Sequence, residues 1–161
     1  MTNEASGGRK PSESGRLLGI DYGTVRVGLA ICDPDRIIAS PIATLTRQNA
    51  EADAAYFRDL IAKERISGLV VGLPVHLNGR EGIKAVEARQ YGAWLAEITG
   101  LPVIFADERF TTVEAESVLW NAGLTHRKRK DRRDRVAAQI MLQAYIDGKC
   151  PGESDIKGLD D

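Results

Sequence analysis

The chain has 161 residues, 43% of them hydrophobic and 28% charged, which suits one ordinary domain with a real core and leaves little room for a second. The formal net charge is -1, so bulk charge makes no case for a nucleic-acid partner; such a case must come from where the charges sit. No segment approaches the length of a membrane span, which excludes a membrane-embedded function for helices of this chain.

Met1 to Gly15 is rich in Ser, Gly, Glu and Lys and has no apolar stretch, so it reads as a disordered leader and not a signal peptide. Three strands are expected next. Arg16–Tyr22 is apolar and ends in a turn at Gly23-Thr24, Arg26–Asp33 alternates and ends at Pro34-Asp35, and Arg36–Leu45 is the third. Pro41 lacks an N–H to donate, which argues for an edge position or a bulge. Asn49 is a plausible N-cap for a helix to about Arg65, with Glu51 and Asp53 in its first turn.

Ser67–Leu73 is a wholly apolar run, as expected of a strand buried on both faces. A glycine-containing loop from Pro74 to Gly82 leads to a second helix, Ile83 to Thr99, stopped by Gly100. Leu101–Ala106 reads as the fifth strand. Thr111-Thr112-Val113-Glu114 has capping-box form and starts a helix to near Gly123. A last helix is expected from about Arg133 to Gly148, and residues 149–161 read as a flexible tail. The order βββ-α-β-α-β-α-α predicts an α/β domain over residues 16–148, with a mixed five-stranded sheet and helices on both faces. The two cysteines, Cys32 and Cys150, form no CxxC or Cys/His cluster, which argues against disulfides or zinc and fits a reducing compartment.

Four places gather chemistry. Asp21 ends a buried strand just before Gly23-Thr24; it could simply cap its turn, but a carboxylate at the heart of a sheet is costly unless a cation neutralises it. Asp107, Glu108 and Arg109 follow the fifth strand with no capping job left, since Thr111 and Glu114 supply the cap, and sites gather at strand ends in α/β sheets. From His126 to Arg135 seven Lys or Arg accompany two acids, Asp131 and Asp134. Asp134 is placed in the first turn of the last helix, beside basic residues able to grip phosphates. The loop Gly72–Gly82 adds His76 and Asn78, which read first as loop-tip residues; a substrate contact stays open there.

Together the blocks GIDYGTVRVGLAICD, VVGLPVHLNG, FADERFTTVEAE and DRVAAQIMLQAYID resemble, in order and spacing, those of the YqgF (RuvX) family, known as Holliday junction resolvase or pre-16S rRNA nuclease. The resemblance covers nearly the whole expected domain. It implies an RNase H-like fold and a metal-dependent nuclease whose carboxylates, carried over onto Asp21, Glu108 and Asp134, would hold Mg2+ or Mn2+. Arg109 with Arg127, Lys128, Arg129 and Lys130 would position the nucleic-acid backbone, with Thr24 and Asn78 as further substrate contacts. Arg133 departs from the family, which usually carries an aliphatic residue there, so the start of the last helix could be shifted or more exposed; Asp107 and Asp131 stay as substitutes for their neighbours.

The implied substrate is the 5′ end of pre-16S rRNA or branched DNA, and the sequence shows no stacking platform to choose between them. Cytoplasmic location, ribosomal association and a homodimer go with that reading. ATP binding is a second reading, because Asp-x-Gly-Thr also looks like the phosphate loop of the actin and Hsp70 ATPases, but those need two such domains. A nucleic-acid-binding or ribosome assembly factor with little catalysis is the third.

Overall fold

A computed structural model describes residues 15–74, 82–108, 126–148 and 152–153. The elements are β1 (Arg16–Asp21), β2 (Arg26–Cys32), β3 (Ala39–Thr46), α1 (Ala50–Glu64), β4 (Ile66–Leu73), α2 (Ile83–Thr99), β5 (Val103–Asp107), α3 (His126–Ile146) and β6 (Gly152–Glu153). All five expected strands are present, and the two-residue β6, from the segment expected as a tail, pairs antiparallel with β5 as a sixth. The helix expected from Thr111 to near Gly123 lies outside the described residues.

The sheet order is β3-β2-β1-β4-β5-β6. The first three strands form the expected antiparallel meander, and β4 and β5 join parallel to β1. Both ideas about Pro41 hold: β3 is an edge strand, and Ala30 pairs with Pro41 while Leu29 pairs with Ala43, leaving Ile42 as the extra residue of a bulge. Asn49 caps α1, its Oδ1 accepting from the Ala52 N–H at 2.8 Å, and Gly100 ends α2 in the left-handed conformation at φ 73°.

Alternation along the strands divides the core in two. Leu18 and Ile20 of β1 pack with Phe57 of α1 and Leu95 of α2 on one face. Leu17 joins Val70, Ala106, Ala138, Met141 and Leu142 on the other, under α3. The sheet is thus covered by helices on both sides, as expected. Because β1, β4 and β5 run parallel and β3 points the same way, one edge of the sheet collects the C-terminal ends of all four strands.

One boundary differs from expectation in a way that matters. The last helix starts at His126, not near Arg133, so Asp134 lies about two turns inside it and not in its first turn. The basic run is itself helical: Lys and Arg are good helix formers, and no Gly or Pro interrupts them.

Candidate active site

Asp21 is the last residue of β1, on the same face as Leu17, looking toward α3. Glu108 follows β5 and turns to the same side. Strand β4 lies between them, and its residue there is Gly72, where a Cβ would run into the Glu108 carboxylate. The glycine inside an otherwise apolar strand therefore makes room for an acid. Across the β1–β2 pair, Asp21 faces Gly28, and a Cβ at Gly28 would run into the Asp134 carbonyl oxygen. A second missing side chain lets α3 approach close enough to bring Asp134 to the strand ends.

The Asp21 and Glu108 side chains are hydrogen-bonded to each other. Burial holds the Asp21 carboxyl well above the usual carboxylate range, and the neighbouring charges of Glu108 and Asp134 push it further the same way. The hydrogen bond favours the proton on Asp21, with Glu108 accepting. Burial also pushes Glu108 up, to about 7, against the lowering effect of that bond and with the Asp107 charge adding to the rise. Two acids pressed together at a half-buried strand end ionise together only at a cost that a cation between them would relieve.

Asp134 is close enough to be felt at Asp21, but its Oδ2 accepts a hydrogen bond from Arg26 Nε at 2.9 Å. Among the described residues no group of three or more His, Cys, Asp or Glu side chains is gathered tightly enough to hold a metal ion as it stands. The structure thus brings Asp21 and Glu108 into contact and sets Asp134 beside them, engaged with Arg26. Arg133, one residue earlier, is exposed while Asp134 is partly buried, so the basic neighbour points outward without displacing the acid. Asp107 takes the opposite face by strand alternation, which disfavours it as a substitute for Glu108.

Of the expected substrate contacts, Thr24 sits exposed in the β1–β2 turn. Arg109 and Asn78 lie outside the described residues, as does His76. Arg127, Lys128, Arg129 and Lys130 belong to the first turns of α3, as does Asp131. Two features escaped the sequence reading. Arg26 was legible only as a strand residue, because its partner is 108 positions away. An open cavity of about 490 Å³ on the other face of the sheet, lined by Tyr22, Arg47, Tyr91 and Trp94 among others, draws its residues from three separate segments.

Comparisons with known proteins give the chain its family. Residues 15–148 match the family described as RuvX, Holliday junction resolvase. A protein of Rhodopirellula baltica named as a candidate pre-16S rRNA nuclease is 48% identical over 145 residues, covering 90% of this chain and 83% of that protein. The chain belongs to the RuvX family. A second family member so named, from Koribacter versatilis, is 42% identical over 133 residues, covering 83% of this chain and 87% of its own. Among solved structures, Thermus thermophilus RuvC in complex with a Holliday junction substrate matches with a TM-score of 0.52 at 13% identity, covering 86% of this chain and 99% of that one. Fowlpox virus resolvase with its junction DNA matches at 0.50 and 10% identity, over 83% and 97%. At such identities these two show the fold alone, and that fold is the RNase H-like one.

Proposed function

We propose that this RuvX-family chain is an endonuclease that hydrolyses phosphodiester bonds, acting on the 5′ end of pre-16S rRNA during ribosome biogenesis. The observation that carries the reading is the Asp21–Glu108 carboxyl pair, held over Gly72 at the C-terminal edge of the sheet with Asp134 beside it. The names of the family's relatives supply the rRNA substrate. The same names and a reducing location suited to the buried free thiol of Cys32 support a cytoplasmic enzyme working near the ribosome.

The donor set fits a hard divalent cation, because every candidate ligand is a carboxylate oxygen and the raised proton affinity of the pair reports a place that favours added positive charge. Asp21, Glu108 and Asp134 would hold Mg2+ or Mn2+, which when bound supplies water activation and charge stabilisation at the leaving oxygen. Arg26 would share Asp134 with that cation. Asp21 must give up its proton for this, so Asp21→Asn, which keeps the shape and the hydrogen bond of the protonated acid, should leave the fold and nucleic-acid affinity intact. Arg109, Asn78, Thr24 and the basic start of α3 are the proposed contacts to the strand, since they flank the carboxylates in the chain.

Branched DNA is the second reading, favoured by the description of the matched family. A homodimer would suit it, because resolving a four-way junction takes two cuts related by symmetry. The deciding experiment compares cleavage of end-labelled pre-16S leader RNA with that of a four-way DNA junction, in Mg2+ or Mn2+, using Asp21→Asn as control. Leader cleavage lost in the variant supports the rRNA reading, and junction cleavage alone replaces it with the resolvase. Binding without cleavage of either by the wild type would make the protein an assembly factor.

A further inference from the structure

Directly after Asp21 the chain turns Tyr22 to the opposite face, where it enters an aromatic group that the carboxylate site does not use. Tyr22 and Tyr91 have ring centroids 5.0 Å apart, and Tyr91 and Trp94 5.3 Å. The Arg47 guanidinium lies 5.3 Å from the Tyr22 centroid and 5.1 Å from that of Tyr91. It is pinned by hydrogen bonds from Nη1 to the Tyr22 hydroxyl at 3.2 Å and to the Gly23 and Thr24 carbonyls at 3.1 and 3.4 Å.

These groups wall the cavity of about 490 Å³, within the range of about 300–1,000 Å³ typical of small-ligand pockets. A patch that served only as core would close over its rings. Here Trp94 stays partly exposed at the wall. Fixed aromatic faces, a flat guanidinium and the amide side chains of Gln48 and Gln90 in the lining match one ligand chemistry, a planar heterocyclic base carrying hydrogen-bonding edges.

The location selects the source of that base. Arg47 and Asn49 follow β3 and Tyr22 follows β1, so the cavity opens at the same edge of the sheet as the carboxyl pair. Asp21 and Tyr22 are adjacent residues pointing to opposite faces, so a strand crossing the end of β1 could place a phosphate at one and a base at the other. We infer that the cavity between α1 and α2 is a base pocket that takes one unpaired nucleotide of the substrate strand, next to the bond being cut. This rests on the nuclease reading above.

Trp94 offers a direct readout, because the second tryptophan, Trp120, can be replaced by Phe. In full-length Trp120→Phe protein carrying Asp21→Asn, fluorescence is followed on titration with a 12-nucleotide oligoadenylate RNA, with the same sugar-phosphate strand lacking bases, and with AMP. Oligoadenylate should quench Trp94 strongly and the abasic strand should not. Trp94→Leu should weaken oligoadenylate binding about tenfold, as expected for one lost stacking contact, while leaving the abasic strand's affinity unchanged. Trp94→Tyr should restore most of the loss, which separates stacking from a folding defect. No quenching by oligoadenylate, or equal quenching by the abasic strand, overturns the pocket. AMP quenching at concentrations no higher than the oligonucleotide requires would assign the cavity to a free nucleotide and also overturn it. Cleavage of leader RNA by the wild type without any quenching would leave the nuclease standing and remove only the pocket; quenching with no cleavage of any substrate would remove the nuclease and, with it, the pocket's place beside a scissile bond.

Discussion

The two faces of the sheet meet at the end of β1, and they are built on opposite terms. Toward α3, side chains are deleted: Gly28 and Gly72 give up their Cβ atoms so that Asp134 and Glu108 can close on Asp21. Toward α1 and α2, bulky rings are collected, and they leave an opening. A site that concentrates like charge needs close walls and little water, so that its acids feel one another. A site that grips a flat ligand needs rigid planes standing apart. One strand end serves both, because consecutive residues of a strand point to opposite faces.

That division can be broken one face at a time. Asp21→Asn should lower cleavage by about a thousandfold or more, the scale on which groups central to charge stabilisation act, whereas Trp94→Leu should raise KM about tenfold and spare kcat. Steady-state kinetics on one substrate reads both, and a kcat loss in Trp94→Leu comparable to that of Asp21→Asn would merge the two sites into one. Gly28→Ala should come next: the new methyl meets the α3 backbone at Asp134, so the helix must lift. Overpacking of this kind costs roughly 1–3 kcal/mol, and a displacement of the acid lowers activity about a hundredfold. Thermal unfolding and kcat/KM check this, and a fully active Gly28→Ala enzyme would deny α3 its close seat.

The carboxyl pair should also show itself in stability. Asp21 and Glu108 hold protons more tightly in the folded chain than in the unfolded one, with Glu108 raised from 4.5 to about 7. The native state therefore binds more protons, and stability falls with rising pH. The contribution is fully present below the unfolded values and is lost as pH rises through about 7. In chelator, Tm should drop by several degrees between pH 5.5 and 8; Asp21→Asn should flatten the slope, and Mn2+ should recover Tm most at pH 8. A Tm that rises over the same interval would contradict the shared proton. The smallest effect is expected from Arg26→Gln, which removes the cation sharing Asp134. Mn2+ affinity by calorimetry should rise a few-fold, and a fall would mean that Arg26 positions Asp134 for the metal and does not compete with it.

Much of the molecule was legible before any coordinates. The period-2 and helical patterns marked five strands and their order, Asn49 and Gly100 marked helix ends, and Pro41 marked an edge strand with a bulge. Glu108 was readable as an acid at a strand end without a local task, Asp21 as a strand-end acid that could equally cap its own turn, and Asp134 through the family's blocks. These signals are local: propensity, caps and alternation act within a few residues. The start of α3 was misplaced because a run of charge was read as a solvated segment, although Lys and Arg without Gly or Pro favour a helix.

The chain by itself thus determined the five main strands, the first two helices and the acids Asp21 and Glu108 at strand ends, because those follow from neighbours in sequence. Only the tertiary structure decided that Arg26 would pair with Asp134, that two glycines would seat the acids, and that Tyr22, Arg47, Tyr91 and Trp94 would frame one cavity. Each of those depends on the distance between remote segments, and that distance is set by sheet order and helix packing, which no short stretch of sequence encodes.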